Sequence, residues 1–454
     1  MGKLILDEIV KATGGSLLRS ARSEFTGLST DSRTIREGEL FVALKGPTFD
    51  GHEFLADALA KGAGGMVHRL PSGDFAGKTL IRVADTLKAL QDIARYLRGK
   101  CAVPVIAVTG TNGKTTTKEL IASIFGQEMK VLKTRGNLNN HIGLPLCLAG
   151  MDGDEEVMVL EMGSNAEGDI RVLCDIAGPD SAVVTNVGIA HLEGFGSIET
   201  VRKTDLEILD FAKTACVNAD DRFLLEGVRG FKGKVITYGI QSDADVRAVD
   251  ITPGERGSSF RLRFCDRKEI PIRLPLPGRF NILNALAAAS IADERGISPD
   301  NIKSGLESFR GVPMRIEIKE FNGMLIISDA YNANPSSMEE AIKELMRLRR
   351  ARTVAVLGDM LELGSYSGEA HRKIVRLLSQ TGIDVFIAVG PEMTVASAEF
   401  TADCYTAEDS FSAGAVLSEI WREGDTVLIK GSRGMKMEKV LDAMPAAAGG
   451  TNAL

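Results

Sequence analysis

The apolar positions of this chain change period along its length, and those changes divide it. Residues 1–100 mix short runs of two kinds. Glu39-Leu40-Phe41-Val42-Ala43-Leu44 reads as a strand, and Phe54 to Lys61 as a helix ended by Gly62. From Thr86 to Leu97, the residues Leu87, Leu90, Ile93, Ala94 and Leu97 recur at the 3.6 spacing of one helix face. Gly99, Lys100 and Pro104 then mark a boundary.

Beyond Val103 the pattern becomes short, uninterrupted apolar runs separated by helical stretches. Val105-Ile106-Ala107-Val108 leads through a glycine-rich turn to a helix with Leu120, Ile121, Ile124 and Phe125 on one side. Val157-Met158-Val159-Leu160 and Ala182-Val183-Val184 are further runs of this kind. Their alternation with helices predicts a parallel sheet covered on both faces. Residues 230–277 read as a smaller strand-rich insert, followed by an alanine-rich helix from Asn281 to Arg295. A second boundary falls near Gly311-Val312-Pro313. After it Leu325–Ser328, Thr353–Leu357, Val385–Val389 and Val427–Ile429 are strands between helices. The helix after Pro335 opens on Ser336-x-x-Glu339, a capping-box pattern. The tail from Ala446 to Leu454 has little to bury. The fold class expected is α/β in three domains: 1–100, small and mixed; 101–310, a central parallel sheet; and 311–454, a Rossmann-like C-terminal unit.

Composition adds exclusions. The chain has 454 residues, 44% hydrophobic and 25% charged, with a formal net charge of −7. That is ordinary globular composition, and the acidic balance gives no support to nucleic-acid binding. The basic run Arg347 to Arg352 reads either as a solvated helix end or as a phosphate or partner site. Six cysteines at 101, 147, 174, 216, 265 and 404 include no Cys-x-x-Cys pair, which argues against a zinc site or a disulfide scaffold. The first residues run into Asp7 and Glu8 without a secretory apolar stretch, and no run is long enough to span a bilayer. A soluble cytoplasmic protein is expected, with nothing that demands an oligomer.

The strongest chemical feature is Thr109-Gly110-Thr111-Asn112-Gly113-Lys114-Thr115-Thr116, between a strand and a helix. Glycines let backbone N–H groups close around phosphate oxygens, and the helix N-terminus adds a favourable field. Lys114 would neutralise β- and γ-phosphates and the Thr115 hydroxyl would ligate Mg²⁺. The match is to G-x-x-G-K-T; Val108 stands where the longer motif has its first glycine. Glu161 ends an apolar run at the carboxyl edge of a strand, where ligands bind in open α/β sheets, and its oxygens suit Mg²⁺. His191, in Asn186-Val187-Gly188-Ile189-Ala190-His191-Leu192-Glu193-Gly194, follows another strand; on general grounds it reads equally as a structural histidine.

The loop G-T-N-G-K-T, the downstream Glu161-Met162-Gly163 and the segment Asn186–Ser197 together resemble the Mur ligase superfamily. The resemblance extends over essentially the whole chain. LSTDSR (28–33) and LFVALKGPTFDGHEF (40–54) resemble its N-terminal UDP-sugar domain, GNLNNHIGLP (136–145) its substrate loop, and GRFNILNALAA (278–288) its nucleotide-base segment. SDAYNANPSSM (328–338) and VLGDMLELG (356–364) resemble the member that adds D-alanyl-D-alanine to a UDP-N-acetylmuramoyl-tripeptide. The Asp-Asn-Pro-Arg motif of the neighbouring diamino-acid ligase is absent from the C-terminal third. Folylpolyglutamate synthases lack the N-terminal domain.

The resemblance implies an ATP-dependent amide ligase that works through an acyl phosphate with ATP and Mg²⁺, in cell-wall precursor synthesis. It implies metal roles for Thr115, Glu161 and His191. It also implies ATP contacts from Asn281, Asn284, Arg315, Asp329 and Tyr331, and substrate contacts from Asn137, Asn139 and Asn140. Ser29, Thr30, Asp31, Ser32, Arg33, Lys45 and His52 would hold the UDP-sugar. On the residues alone LSTDSR also reads as a turn, and His52 as a structural histidine. Asn332, Asn334, Asp359 and Glu362 would receive the dipeptide, with turn chemistry the other reading of Asp359. Lys430-Gly431-Ser432-Arg433 is either a substrate contact or a strand–loop junction. Where many members carry a carbamylated lysine, ungapped alignment from His191 places Asp205. Asp205 is expected to supply that charge directly, with carbamylated Lys203 or no such group as alternatives. A hinge is expected near Gly311. The rivals are a ligase of the same superfamily with another acceptor, and a slow regulatory ATPase.

Overall fold

The computed structural model describes residues 2–69 and 75–444. The tail expected to have little to bury, 446–454, lies outside them. The continuous apolar runs become strands buried from end to end: Val105–Thr109, Val157–Glu161, Thr214–Asn218, Thr353–Gly358, Val385–Val389 and Thr426–Lys430 have no exposed residue. Burial on both faces is what removes the polar alternation from such strands.

Three sheets of five, nine and six strands, and one two-stranded pairing, organise the described residues. The N-terminal sheet runs Ser16–Arg19, Thr79–Arg82, Gly64–Val67, Glu39–Val42, Gly27–Ser29, parallel apart from the first pairing. Leu4–Ile5 and Glu24–Phe25 pair beside it. The helix predicted from Thr86 runs to Lys100, and the Asp85 carboxylate caps it by accepting from Lys88 N at 2.9 Å. Leu90 and Ile93 of this helix pack into the N-terminal core, Ala94 packs into the central one, and Leu97 touches both.

The central sheet has nine strands. Seven are parallel, from Val246–Pro253 through Lys234–Gly239, Thr214–Asn218, Ser181–Val184, Val105–Thr109 and Val157–Glu161 to Val131–Lys133. The strand-rich stretch 230–277 is therefore not a separate insert. Lys234–Gly239 and Val246–Pro253 continue the parallel sheet, and Ser258–Arg263 and Glu269–Leu274 close its edge as antiparallel strands. Their alternating burial made them read as a different unit, because only one face of an edge meander is covered. The alanine-rich helix, Arg279–Glu294, is buried on nearly all sides and packs against the helix Lys114–Phe125. Small side chains allow that close approach.

The C-terminal sheet orders Glu317–Phe321, Met324–Asp329, Thr426–Lys430, Thr353–Gly358, Val385–Val389, Asp403–Ala407. It is parallel except for its first, antiparallel edge strand. Apolar clusters cover both faces. The helix Pro335–Arg347 is capped earlier than Ser336-x-x-Glu339 suggested: Asn334 is the N-cap and Ser337 its reciprocal partner. The basic run beyond it is a set of ion pairs. Arg349 meets Asp384, Arg350 meets Glu320 and Glu255, and Arg352 meets Asp425.

The strand Val105–Thr109 lies between Val157–Glu161 on one side and Ser181–Val184 on the other. The chain reverses its direction of winding there, so the carboxyl ends of these strands open a crevice where ligands bind in such sheets.

Candidate active site

The crevice is a cleft of about 890 Å³ between the central and C-terminal sheets. Its floor is the loop after Thr109. Gly110 and Gly113 have φ of 121° and 82°, a region that L side chains rarely adopt. A Cβ on Gly113 would stand 2.3 Å from Asn284 Oδ1, and one on Gly110 would stand 2.3 Å from Thr185 Oγ1. The loop is braced from the neighbouring strand end: Thr111 N donates to Asn186 O at 2.9 Å and Asn112 N to Asn186 Oδ1 at 3.0 Å. Asn186 was visible in the sequence only as part of the His191 segment; its bracing role needed the parallel pairing.

Lys114 Nζ folds over the loop, donating to Gly110 O at 2.5 Å and Thr111 O at 3.1 Å. Burial pulls its affinity for the proton below the ordinary lysine range; Asp205 and Glu161 oppose that shift and Arg315 adds to it. Thr115 Oγ1 donates to Glu161 Oε1 at 3.2 Å and accepts from Arg315 Nη2 at 3.2 Å. Arg315 itself lies over the Tyr331 ring, 4.1 Å from its centre. Asn139 Nδ2 donates to the same Glu161 oxygen at 2.8 Å. Behind them the wholly buried Lys118 sits 3.8 Å from Glu161 Oε2 and 2.9 Å from Glu119, and donates to Thr134 O at 2.7 Å. Lys118 was not singled out in the sequence; within a helix it carries no motif, and its burial appears only on folding.

Gly110 aside, the loop residues Thr111–Thr116 line the cleft, together with Asn137, Asn139, Asn140, Glu161, His191, Asn281, Asn284, Arg315, Asp329, Tyr331, Asn332, Asn334 and Glu362. Asn281 donates to Pro277 O at 2.7 Å, and Asn284 accepts from Thr117 Oγ1 at 3.3 Å. The Asn140 side chain also caps the helix Gly143–Ala149, accepting from Gly143 N at 2.8 Å. Across the seam, Asn112 donates to Ser336 Oγ and accepts from Asn334 Nδ2, both at 2.8 Å. Lys430, 1% exposed, pairs with Asp329 and donates to Asn332 O at 3.0 Å, so it supports the cleft wall. Ser164, Asn165 and Glu340 also line the cleft, unmarked by any motif in the sequence, as do Arg279, Phe280 and Leu361, which lie within quoted segments but were not singled out.

Other expected site residues stand elsewhere. Ser29 ends an edge strand of the N-terminal sheet, Thr30, Asp31, Ser32 and Arg33 form the bend and turn after it, and Lys45 bridges to Asp50; all lie outside this cleft. Arg33 grips Asp31, its N–H and guanidinium holding that carboxyl down to about 2. His52 is 1% exposed, with Nδ1 2.6 Å from Asp50 Oδ1 and Nε2 accepting from His68 N at 3.1 Å. Both nitrogens are spent internally, which corrects the expectation that it faces the UDP-sugar. Asp359 turns away from the cleft and accepts from Met393 N at 2.7 Å, capping the helix Pro391–Ala396. Its partners, Glu392 N and Met393 N, stand 33 and 34 positions along the chain, so it braces another element and is not in a local turn.

Asp205, 2% exposed, lies behind the cleft wall rather than on it. It accepts from Thr109 Oγ1 at 3.1 Å. Burial pushes its carboxyl up to about 6 against the pull of Lys114. Lys203 points to the surface and pairs with Glu167. Two buried carboxylate oxygens, Glu161 Oε2 and Asp205 Oδ2, have no hydrogen-bond partner. Buried anionic oxygens in that state fit a hard cation. Glu161, His191 and Asp205 do not converge as a ready-made cage. Among the described residues the acidic group that does converge is Asp152, Asp154 and Glu155, away from the cleft. That suits Mg²⁺, which takes one or two carboxylates together with substrate phosphates.

The family descriptions "Mur ligase family, catalytic domain", "Mur ligase middle domain" and "Mur ligase, glutamate ligase domain" match residues 24–98, 108–292 and 314–433. The UDP-N-acetylmuramoyl-tripeptide–D-alanyl-D-alanine ligase of Bacillus subtilis is 36% identical, over 91% of this chain and 92% of that protein. The MurF crystal structure from Acinetobacter baumannii superposes with a TM-score of 0.90 at 32% identity, covering 98% of this chain and 99% of that one. MurF from Thermotoga maritima, solved in complex with ADP, has a TM-score of 0.82 at 31% identity, covering 92% of this chain and 96% of that one. With relatives this similar along nearly its whole length, and a phosphate loop framed by Glu161 and Arg315, the chain belongs to the Mur ligase family, in its MurF branch.

Proposed function

We propose that this protein joins D-alanyl-D-alanine to UDP-N-acetylmuramoyl-tripeptide, with ATP converted to ADP and phosphate. A carboxylate is a poor acyl donor because its leaving group would be oxide. The tripeptide carboxylate oxygen bonds to the γ-phosphorus as the bond to ADP breaks; the dipeptide amine then bonds to the acyl carbon as phosphate leaves. The observation that carries this reading is the Thr115 hydroxyl held between Glu161 and Arg315, at 3.2 Å from each. It brings an arginine from the C-terminal part onto a phosphate loop of the central sheet.

Each residue has a task in that scheme. The loop N–H groups and Lys114 hold the phosphates, and Arg315 offsets charge that spreads onto the transferring group. Asn281, Asn284, Asp329 and Tyr331 line the nucleotide side. Asn137, Asn139, Asn332 and Asn334 face the acceptor side. Thr115, Glu161, His191 and the more distant Asp205 are the residues that would hold Mg²⁺, which supplies positive charge against the phosphates when bound. Closure of the seam over bound substrates would exclude water, which would otherwise hydrolyse an acyl phosphate. Ser29 to Arg33, at the end of an edge strand of the N-terminal sheet and in the turn after it, would engage the UDP group. One copy of the chain supplies every one of these residues, so we expect a monomer. No described helix is long and apolar enough to cross a membrane, and we place the reaction in the cytoplasm, where ATP is available.

The test is phosphate release from MgATP given both substrates, and with each omitted in turn. Release that requires both supports this ligase. Release that ignores both supports a regulatory ATPase, and release with a different amine supports another acceptor.

A further inference from the structure

His191 and Glu362 line the cleft from opposite sides of the seam. His191 Nδ1 is paired with Glu362 Oε2. Both are non-glycine residues in left-handed backbone, with φ of 51° and 64°. Side chains other than glycine rarely adopt that region, and surrounding contacts must hold them there. Those contacts are present. Glu193 N donates to Glu362 O at 3.1 Å, tying the two segments by backbone as well as by side chain. The loop bearing Glu362 is pinned on its other side: Met360 N donates to Nε2 of the buried His371 at 2.9 Å, and Leu361 N donates to Ser432 Oγ at 2.8 Å. A braced loop therefore delivers this carboxylate to the histidine. Among the described residues, nothing hydrogen-bonds to His191 Nε2.

We propose that Glu362 is a positioning residue that holds the His191 ring with Nδ1 toward the C-terminal sheet and leaves Nε2 for a ligand in the cleft. The proposal rests on the reading of His191 as a magnesium ligand. A metal-binding histidine generally engages its second ring nitrogen with a carboxylate or carbonyl, which sets the tautomer and the ring orientation. Here that carboxylate arrives from across the seam, so the ring is set only while the two parts are closed on each other. Glu362 is thereby assigned to the metal site rather than to the dipeptide.

The test uses the full-length protein with ¹⁵N-labelled histidine; its five histidines can be assigned by single replacement. At pH 8 with a non-hydrolysable ATP analogue, His191 is expected to carry its proton on Nδ1. In Glu362→Ala that preference should be lost. The Mg²⁺ concentration for half-maximal phosphate release should rise by about tenfold in the same variant, the lower end for loss of a carboxylate behind a metal ligand. Glu362→Gln, whose amide oxygen still accepts, should recover part of both effects. Glu362 sits on a loop with its side chain 59% exposed, so these variants should fold, and their melting temperature checks it. A tautomer that does not change in Glu362→Ala overturns the proposal. So does a raised KM for the dipeptide with magnesium dependence unmoved. Failure of the underlying reading is separate: His191→Ala with unaltered magnesium dependence removes the metal role, and the tautomer measurement still decides the Glu362–His191 contact.

Discussion

Arg315 Nη2 reaches Thr115 Oγ1 at 3.2 Å, joining residues 200 positions apart across the seam of the cleft. The hydroxyl stands at the first turn of the phosphate-loop helix, and the guanidinium lies on the Tyr331 ring. In the proposed scheme the contact would place a fixed cation where phosphoryl transfer spreads negative charge. Replacing it should act on the chemical step: Arg315→Ala is expected to lower kcat by about 10²–10³, the usual loss for one preorganised donor. Arg315→Lys should recover little, because an ammonium lacks the planar face that rests on Tyr331. Steady-state kinetics in ATP checks this; a change in KM alone would contradict it.

Lys118 has no exposed surface and serves Glu119, Glu161 and the Thr134 carbonyl at once. Removing the cation leaves the buried Glu161 carboxylate without its lysine, while the half-buried Glu119 keeps Lys133. Lys118→Met is expected to lower unfolding stability by about 3–5 kcal/mol, the range for breaking a buried pair on one side. Urea denaturation measures it. A loss under about 1 kcal/mol, the scale of an exposed pair, would contradict it.

Asp205 makes stability depend on pH in a definite direction. Its folded value of about 6 lies above the ordinary 3.8 because burial disfavours the charge. Protonated Asp205 is compatible with the fold below pH 4, and that advantage is lost as pH rises through 6. Without nucleotide and metal, Asp205→Asn should therefore gain on the parent between pH 4 and 7. The gain should reach up to about 3 kcal/mol, since each pH unit between the two values is worth about 1.36 kcal/mol. Thermal unfolding at pH 5 and pH 7 checks it, and parallel profiles would contradict it. In assays with MgATP the same variant should lose activity while Lys203→Ala keeps it, since Lys203 is spent on Glu167 at the surface.

His52, in the short helical turn Gly51–Phe54, tests the corrected assignment in the N-terminal part. Its two nitrogens join Asp50 to the backbone of His68. His52→Ala should lower the melting temperature while leaving the KM for UDP-N-acetylmuramoyl-tripeptide within about twofold, because a buried hydrogen-bonded group acts on stability first. A selective rise in that KM would return His52 to the binding surface.

How far the sequence could be read depended on whether a feature is local. The phosphate loop is local: strand, glycines, lysine and helix are contiguous, and Val105–Thr109 leads straight into Lys114–Phe125. The continuous apolar runs are local too, since burial on both faces leaves its mark within one strand. The family resemblance carried Glu161, Asn139 and Arg315 to the cleft. The limits of local reading show at the Pro335 helix, where Asn334 rather than Ser336 is the cap, and in 230–277, whose alternation concealed that it continues the central sheet.

The sequence by itself determined the α/β class, the strands of the parallel sheets and the phosphate loop, because each is specified by neighbours along the chain. The tertiary structure decided which polar groups face the cleft and which are spent inside. His52 and Asp359 are both polar residues in resembling motifs, yet internal hydrogen bonds use them up. Lys118 and Asn186 carry no signal of their own, yet parallel strand pairing sets them against the loop and its carboxylate. The contacts Arg315–Thr115 and Glu362–His191 cross the seam between two sheets. Such contacts exist only once the two walls are assembled, and no stretch of sequence encodes them alone.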